Sequence, residues 1–281
     1  MSYTVMVALD GSLLAERALR PALDLARLQD GKILLVRVLP TVVSIAQDKD
    51  LLRFTPTADD RQQVQDYLER QAALLRQAGC EVEVLPKEGS VALELASLSD
   101  QVDLLLMTSH GRSGFERLLL GSVTEEVVRR ADLPVMVLRS QPVRLAQFKR
   151  ILVPLDGTSL AARALPTAYQ MARLTGATVV FCRVTYADLD PDHPERQREE
   201  AEARDYLAHI QETTPDDIQS ESLTWASSIP RGILHLAQHH NIDLVVMATH
   251  QRSGLARAWW GSVAENVVRG SLCPVLLVPA S

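Results

Sequence analysis

The sequence predicts an α/β protein of two tandem domains, each a doubly wound, five-stranded, mostly parallel sheet. Three observations predict it. Short continuous apolar runs, such as Leu104, Leu105, Leu106 and Met107, suit parallel strands covered on both faces better than alternating surface strands. These runs alternate with helical patterns along the whole chain, an order that demands parallel pairing through right-handed crossovers. Finally, residues 103–138, DLLLMTSHGRSGFERLLLGSVTEEVVRRADLPVMVL, recur as residues 243–278, DLVVMATHQRSGLARAWWGSVAENVVRGSLCPVLLV, with about half the positions identical. The chain is a duplication, and its start agrees: VMVALDGSLLAERAL at residues 5–19 matches ILVPLDGTSLAARAL at residues 151–165.

In the first half, residues 4–9 read as a strand and 12–29 as a helix whose interior Pro21 should kink it, with Gly31 as its stop. Residues 33–39 form the second strand, and 40–57 a long connection placed to fold over the strand ends as a lid. A long helix follows at 58–78, a third strand at 81–85 and a short helix at 91–99. The repeated unit then supplies strand 104–107, a polar glycine-bearing loop at 108–114, a helix opened by Gly121-Ser122 and a last strand at 135–138. Ser122 followed by Glu125 reads as a capping box, and Val123, Val127 and Val128 mark one apolar face. The second half repeats this order with strands at 150–155, 178–186 and 222–226 and helices from 160, at 194–212 and at 229–240, before the second copy of the unit. Its connection after the second strand is shorter and acidic. The domains are therefore expected at residues 1–142 and 150–281, with 143–149 as linker.

Composition excludes several classes. At 281 residues each half can bury its own core. A net charge of -6 without a long Lys/Arg cluster argues against a nucleic-acid surface, and Arg139, Arg144, Lys149 and Arg150 read as solvated linker charges. The three cysteines, Cys80, Cys182 and Cys273, lack metal-ligand spacing and suit a reducing cytoplasm. No apolar run approaches membrane-spanning length, and the first residues show no leader pattern, so a soluble cytoplasmic protein is expected.

In an open parallel sheet, ligands bind beyond the carboxyl ends of the strands, which is where Asp10, Val38 and the 108–114 loop fall. Asp10 can accept hydrogen bonds from a ribose or adenine, or help hold a phosphate-borne metal; it equally suits a turn or N-cap before the first helix. Gly111, Gly114, Gly121 and Ser122 can meet phosphates through backbone N–H groups, although the capping box alone would explain Ser122. His110 and His250 stand at matching loop positions without a nearby second ligand, so no metal site is expected. His239-His240 reads as a favourable charge pair at a helix C-terminus. Arg112 and Arg252 suit either a phosphate or solvent, and Trp259-Trp260 an apolar contact surface between halves or subunits. Neither a G-x-S-x-G nucleophile elbow nor a Walker A lysine is present.

Taken together these residues resemble the universal stress protein family, marked by an ATP-binding signature of the form G-x-x-G, nine residues, then G-S or G-T. The resemblance covers each half over its full length. It implies two Rossmann-like or flavodoxin-like domains associated through their fifth strands as an intramolecular pseudo-dimer, an arrangement compatible with a further homodimer. It implies ATP as ligand, with Mg²⁺ carried by the phosphates. Adenine and ribose would lie near Ala8, Leu9, Asp10 and the Val38 backbone, and the phosphates near Met107, Thr108, Gly111, Gly121, Ser122 and Val123. Thr108 replaces the first signature glycine. In the second half Ala248 and Gln251 replace both glycines, leaving Asp156, Val184, Gly261 and Ser262 as weaker candidates. Unequal halves are therefore expected, with nucleotide mainly in the first. No general base stands out, so ATP hydrolysis is expected to be slow at most. The competing expectation is a nucleotide-free adaptor whose loop glycines serve only tight turns. An adenylyl transferase is disfavoured because its S-G-G-x-D-S pyrophosphate loop is missing.

Overall fold

The computed structural model describes residues 2–41, 43–45, 51–53, 55–109, 121–139, 141–186, 190, 192–249 and 261–279. These fall into two compact units that divide between Val135 and Met136.

The first unit contains β1 (Thr4–Ala8), α1 (Leu19–Leu28), β2 (Lys32–Pro40), a short antiparallel pair of β3 (Val43–Ile45) and β4 (Leu51–Arg53), and α2 (Ala58–Gln77). It continues with β5 (Glu81–Gly89), α3 (Val91–Ala96), β6 (Leu104–Thr108) and α4 (Ser122–Arg130), and leads into β7 (Val135–Leu138). Strands β6, β1, β2 and β5 lie side by side in that order, all parallel. The start of β7 is set against β6 where the Leu105 N–H donates to Pro134 O at 3.0 Å. Central strands are apolar on both faces because helices cover both: Val5, Met6, Val7, Leu105 and Leu106 are fully buried.

The second unit repeats the scheme with β8 (Arg150–Pro154), α5 (Ser159–Ala162), α6 (Ala164–Thr175), β9 (Thr178–Thr185), α7 (Pro194–Glu212), β10 (Ser220–Ala226), α8 (Ile229–His239), β11 (Leu244–Thr249), α9 (Ser262–Gly270) and β12 (Val275–Pro279). Its strands run parallel in the order β10, β9, β8, β11, β12. The α/β class and parallel doubled sheet read from the sequence are thus present in both units.

Three local expectations need correction. Pro21 does not kink a long helix. The segment begins as a 3-10 turn at Ala15–Ala18, and α1 starts at Leu19, so Pro21 occupies the third helical position, where a backbone N–H would lack an intrahelical partner anyway. Pro166 holds the same place in α6. Strand β5 outlasts its apolar run, pairing with β2 through Gly89, because the outermost strand of a sheet tolerates Pro86 and charged side chains. The helix expected from residue 91 ends at Ala96 and is followed by a separate 3-10 turn at Ser99–Gln101.

Candidate functional site

The carboxyl ends of β1, β2 and β6 and the N-terminus of α4 surround a cavity of about 420 Å³. Ala8, Leu9, Asp10, Val38, Met107, Thr108, Gly121, Ser122 and Val123 all line it. Gly111 lies outside the described residues, as do His110, Arg112 and Gly114.

The first rim is built by the way β1 leaves the sheet. The Leu9 N–H donates to Val36 O at 2.8 Å, holding the chain beside β2 for one residue more and delivering Asp10 to the cavity edge. Asp10 Oδ1 then accepts the Ser12 N–H at 2.9 Å, and Ser12 Oγ accepts the Ala15 N–H at 3.1 Å. Gly11 between them has φ +87°, a left-handed conformation that costs glycine little. Asp10 therefore forms the turn and faces the cavity at once, so the two readings of this residue are compatible. Apolar side chains of Val36, Leu39, Val91 and Leu95 supply a wall.

The opposite rim joins β6 to α4. Thr108 and Ser109 are buried, the Gly121 N–H donates to Ser109 O at 2.9 Å, and Thr124 Oγ1 donates to Thr108 O at 3.4 Å. The capping box expected from Ser122 and Glu125 does not form. Gly121 is the N-cap, with φ -62° and ψ 139° and no side-chain cap, while Ser122 is the first helical residue. The Glu125 N–H closes the first helical bond onto Gly121 O at 3.0 Å. The Ser122 hydroxyl is thus not used as a cap, and the first N–H groups of α4 stand at the cavity wall, an arrangement suited to anions.

Sequence reasoning missed Arg37 and Thr124, which also line the cavity, and reached Ser109 only as part of the 108–114 loop. Thr124 was accessible from the sequence, being within one helical turn of Gly121. Arg37 gave no signal, since it sits inside an apolar strand; among the described lining residues, it and Asp10 carry the charges.

The second unit has a cavity of about 290 Å³ in the corresponding place, lined by Asp156, Val184, Gly261 and Ser262 among others. Asp156 Oδ1 accepts from both the Thr158 N–H and its hydroxyl, at 2.9 and 2.6 Å. Gly261 is an N-cap at φ +100°, and Ser262 again begins the helix. Ala248 and Ala264 stand where the first cavity has Thr108 and Thr124, which makes this lining more apolar, while Ile229, Ile233 and Met247 match Val91, Leu95 and Met107 of the first. Cys182 lines it too, its thiol pKa pushed far up by burial. Gln251, His250, Arg252, Trp259 and Trp260 lie outside the described residues. His239 ends α8 and rests at 4.1 Å on His235, which stacks on Trp225 at 4.3 Å. Among the described residues no group of three or more His, Cys, Asp or Glu side chains is placed to hold a metal ion. No described helix is long and apolar enough to cross a membrane.

Comparison with known proteins finds relatives along the whole chain. A universal stress protein of Mycobacterium tuberculosis strain H37Rv is 25% identical, spanning 97% of this chain and 94% of its own. One from Mycolicibacterium smegmatis is 26% identical, spanning 98% and 97%. The crystal structure of a universal stress protein from Archaeoglobus fulgidus shares the fold with a TM-score of 0.73 at 22% identity, covering 98% of this chain and 96% of that one. The model of the universal stress protein family matches twice, at residues 1–139 and 147–279. With two such matches the chain belongs to the universal stress protein family, carrying two of its domains in tandem.

Proposed function

We propose that the first cavity binds an adenine nucleotide, ATP, and that its occupancy biases a partner-facing surface, making the protein a nucleotide-dependent regulator of a cytoplasmic stress response. One observation carries this reading: every described residue expected to hold the nucleotide lines a single cavity, whose volume falls within the range of small-ligand sites. The parts are distributed as a nucleotide requires. Apolar Val36, Val38 and Leu95 suit a base, Asp10 suits ribose hydroxyls, and the N-terminus of α4 at Gly121 and Ser122 suits phosphates. A Cβ on Gly121 would stand 3.1 Å from Ser109 O, so the glycine keeps this rim low. Mg²⁺ would arrive on the phosphates, Asp10 being the one carboxylate among the described lining residues.

The smaller, more apolar second cavity supports weaker binding there. Calorimetric titration with ATP tests both cavities. One site per chain is the expected result, two equal sites would remove the asymmetry, and no heat with ATP, ADP or AMP would leave the nucleotide-free adaptor. Extraction and mass analysis of any small molecule that co-purifies would identify the ligand directly.

A further inference from the structure

The turn that carries Asp10 is backed by a pair of side chains from distant elements. Arg37, on β2, places its guanidinium carbon 4.8 Å from the centre of the Tyr67 ring on α2. The same guanidinium packs against Gly11, where a Cβ would come within 2.9 Å of Nη1 and 3.0 Å of Cζ. Tyr67 is itself held: its hydroxyl donates to Glu16 Oε1 at 3.1 Å, and Gln71 Nε2 donates to the same oxygen at 3.2 Å. Burial, aided by Glu16, drives the Tyr67 phenol well above its ordinary pKa, so it stays a neutral donor. The line of contacts begins at Glu16, passes through Tyr67 and Arg37, and returns to the turn beside Asp10.

The second unit contains the same arrangement. Arg183, on β9, lies 5.5 Å over the Tyr206 ring on α7, and a Cβ on Gly157 would meet its Nη1 at 3.5 Å. Gly157 has φ +88°, matching Gly11, and follows Asp156 as Gly11 follows Asp10. Tyr206 lies closer along the chain to its arginine than Tyr67 does, because the intervening connection is shorter. The ring nevertheless arrives under the guanidinium, so the pairing survives a change of loop length that would scatter an incidental contact.

We propose that Arg37, clamped between the Tyr67 ring and Gly11, is a positioning residue that fixes the turn through which Asp10 meets its ligand, an inference that rests on nucleotide binding in the first cavity. A planar cation on an aromatic face is attracted to it and loses little freedom there, so it makes a stiff floor for a glycine that has no side chain to steady it. Ser12 occupies Oδ1, so a turn held in place by that floor would leave Oδ2 for the ribose hydroxyls of the proposed nucleotide. Arg183 and Tyr206 do the same for Asp156.

The test uses the full chain and two readouts. In ligand-free protein, hydrogen exchange at the Ser12 amide reports the turn itself; Arg37→Met and Tyr67→Leu should speed it by about tenfold, whereas Tyr67→Phe, which keeps the ring, should leave it near wild type. In ATP titrations, Arg37→Met should weaken binding by about tenfold, but not weaken it further in an Asp10→Asn background, since residues acting through one group are non-additive. Arg37→Lys, which retains charge without the plane, should fall between and serves if Arg37→Met does not fold. Unchanged Ser12 exchange in a folded Arg37 variant, or additive losses with Asp10→Asn, would overturn the proposal. Faster Ser12 exchange in a chain that binds no adenine nucleotide would retain Arg37 as the brace of the turn while refuting the nucleotide reading.

Discussion

The Gly121 N–H donates to Ser109 O at 2.9 Å, joining the end of β6 directly to the start of α4. That bond brings a helix N-terminus to the mouth of a parallel sheet, and it leaves little room for a side chain, because a Cβ on Gly121 would approach the same oxygen to 3.1 Å and the oxygen would have to give way. Gly121→Val is expected to push the two apart and reduce ATP affinity by about tenfold or more while leaving the circular dichroism spectrum unchanged. Wild-type affinity in this variant would mean that the phosphates do not approach α4.

The unequal halves give a second expectation, which comes from sequence together with the cavity linings. Gly111→Gln should impose on the first half the obstruction expected of Gln251, and Gln251→Gly should open the second. Counting sites by calorimetry in each variant checks this, with one site falling toward none in the first case and rising toward two in the other. No change in either variant would place the asymmetry in the Thr108/Ala248 and Thr124/Ala264 differences instead.

Leu105 is fully buried in β6. Leu105→Ala removes side-chain volume from a packed interior and should cost about 2–5 kcal/mol, read as a lower midpoint in urea unfolding. A change below about 1 kcal/mol would show that the neighbouring helices collapse into the space.

The Tyr3 phenol is pushed up from 10.0 to about 12, by burial first and the Asp103 charge second. Because the folded value lies above the unfolded one, the neutral phenol stabilises the fold fully below pH 10, and that contribution is lost as pH rises toward 12. Stability measured across this window should therefore fall less steeply in Tyr3→Phe than in wild type. Identical slopes would show that Tyr3 ionises freely.

What could be read from the sequence depended on whether the signal was local. Leu104 to Met107 announced a central strand because both of its faces are covered, and Asp10, Gly121 and Ser122 announced the cavity because strand ends and helix starts are fixed by order along the chain. Residues 86–89 did not read as strand, since an outermost strand needs no apolar side chains to pair. The Ser122–Glu125 spacing misled because Gly121, with extended backbone, takes the capping position one residue earlier. Arg37 and Tyr67 were invisible as a pair because no fixed spacing links a strand residue to a helix residue across a loop. Their relation exists only after the sheet has formed.

The outer strands have a bearing on how the protein behaves when concentrated. A parallel sheet ends in a row of open backbone groups, and each further strand of any passing chain could extend it into a filament. In the first unit the terminating strand, β5, displays Glu81, Glu83 and Glu88 to solvent and carries Pro86, which has no N–H to donate. In the second, β10 presents Glu221 and Ser222. Charged side chains, three of them paired as Lys32–Glu83, Arg61–Glu88 and Arg150–Glu221, together with the donor missing at Pro86, make these rims poor templates for another strand, and they are among the polar residues that hid β5 from the sequence.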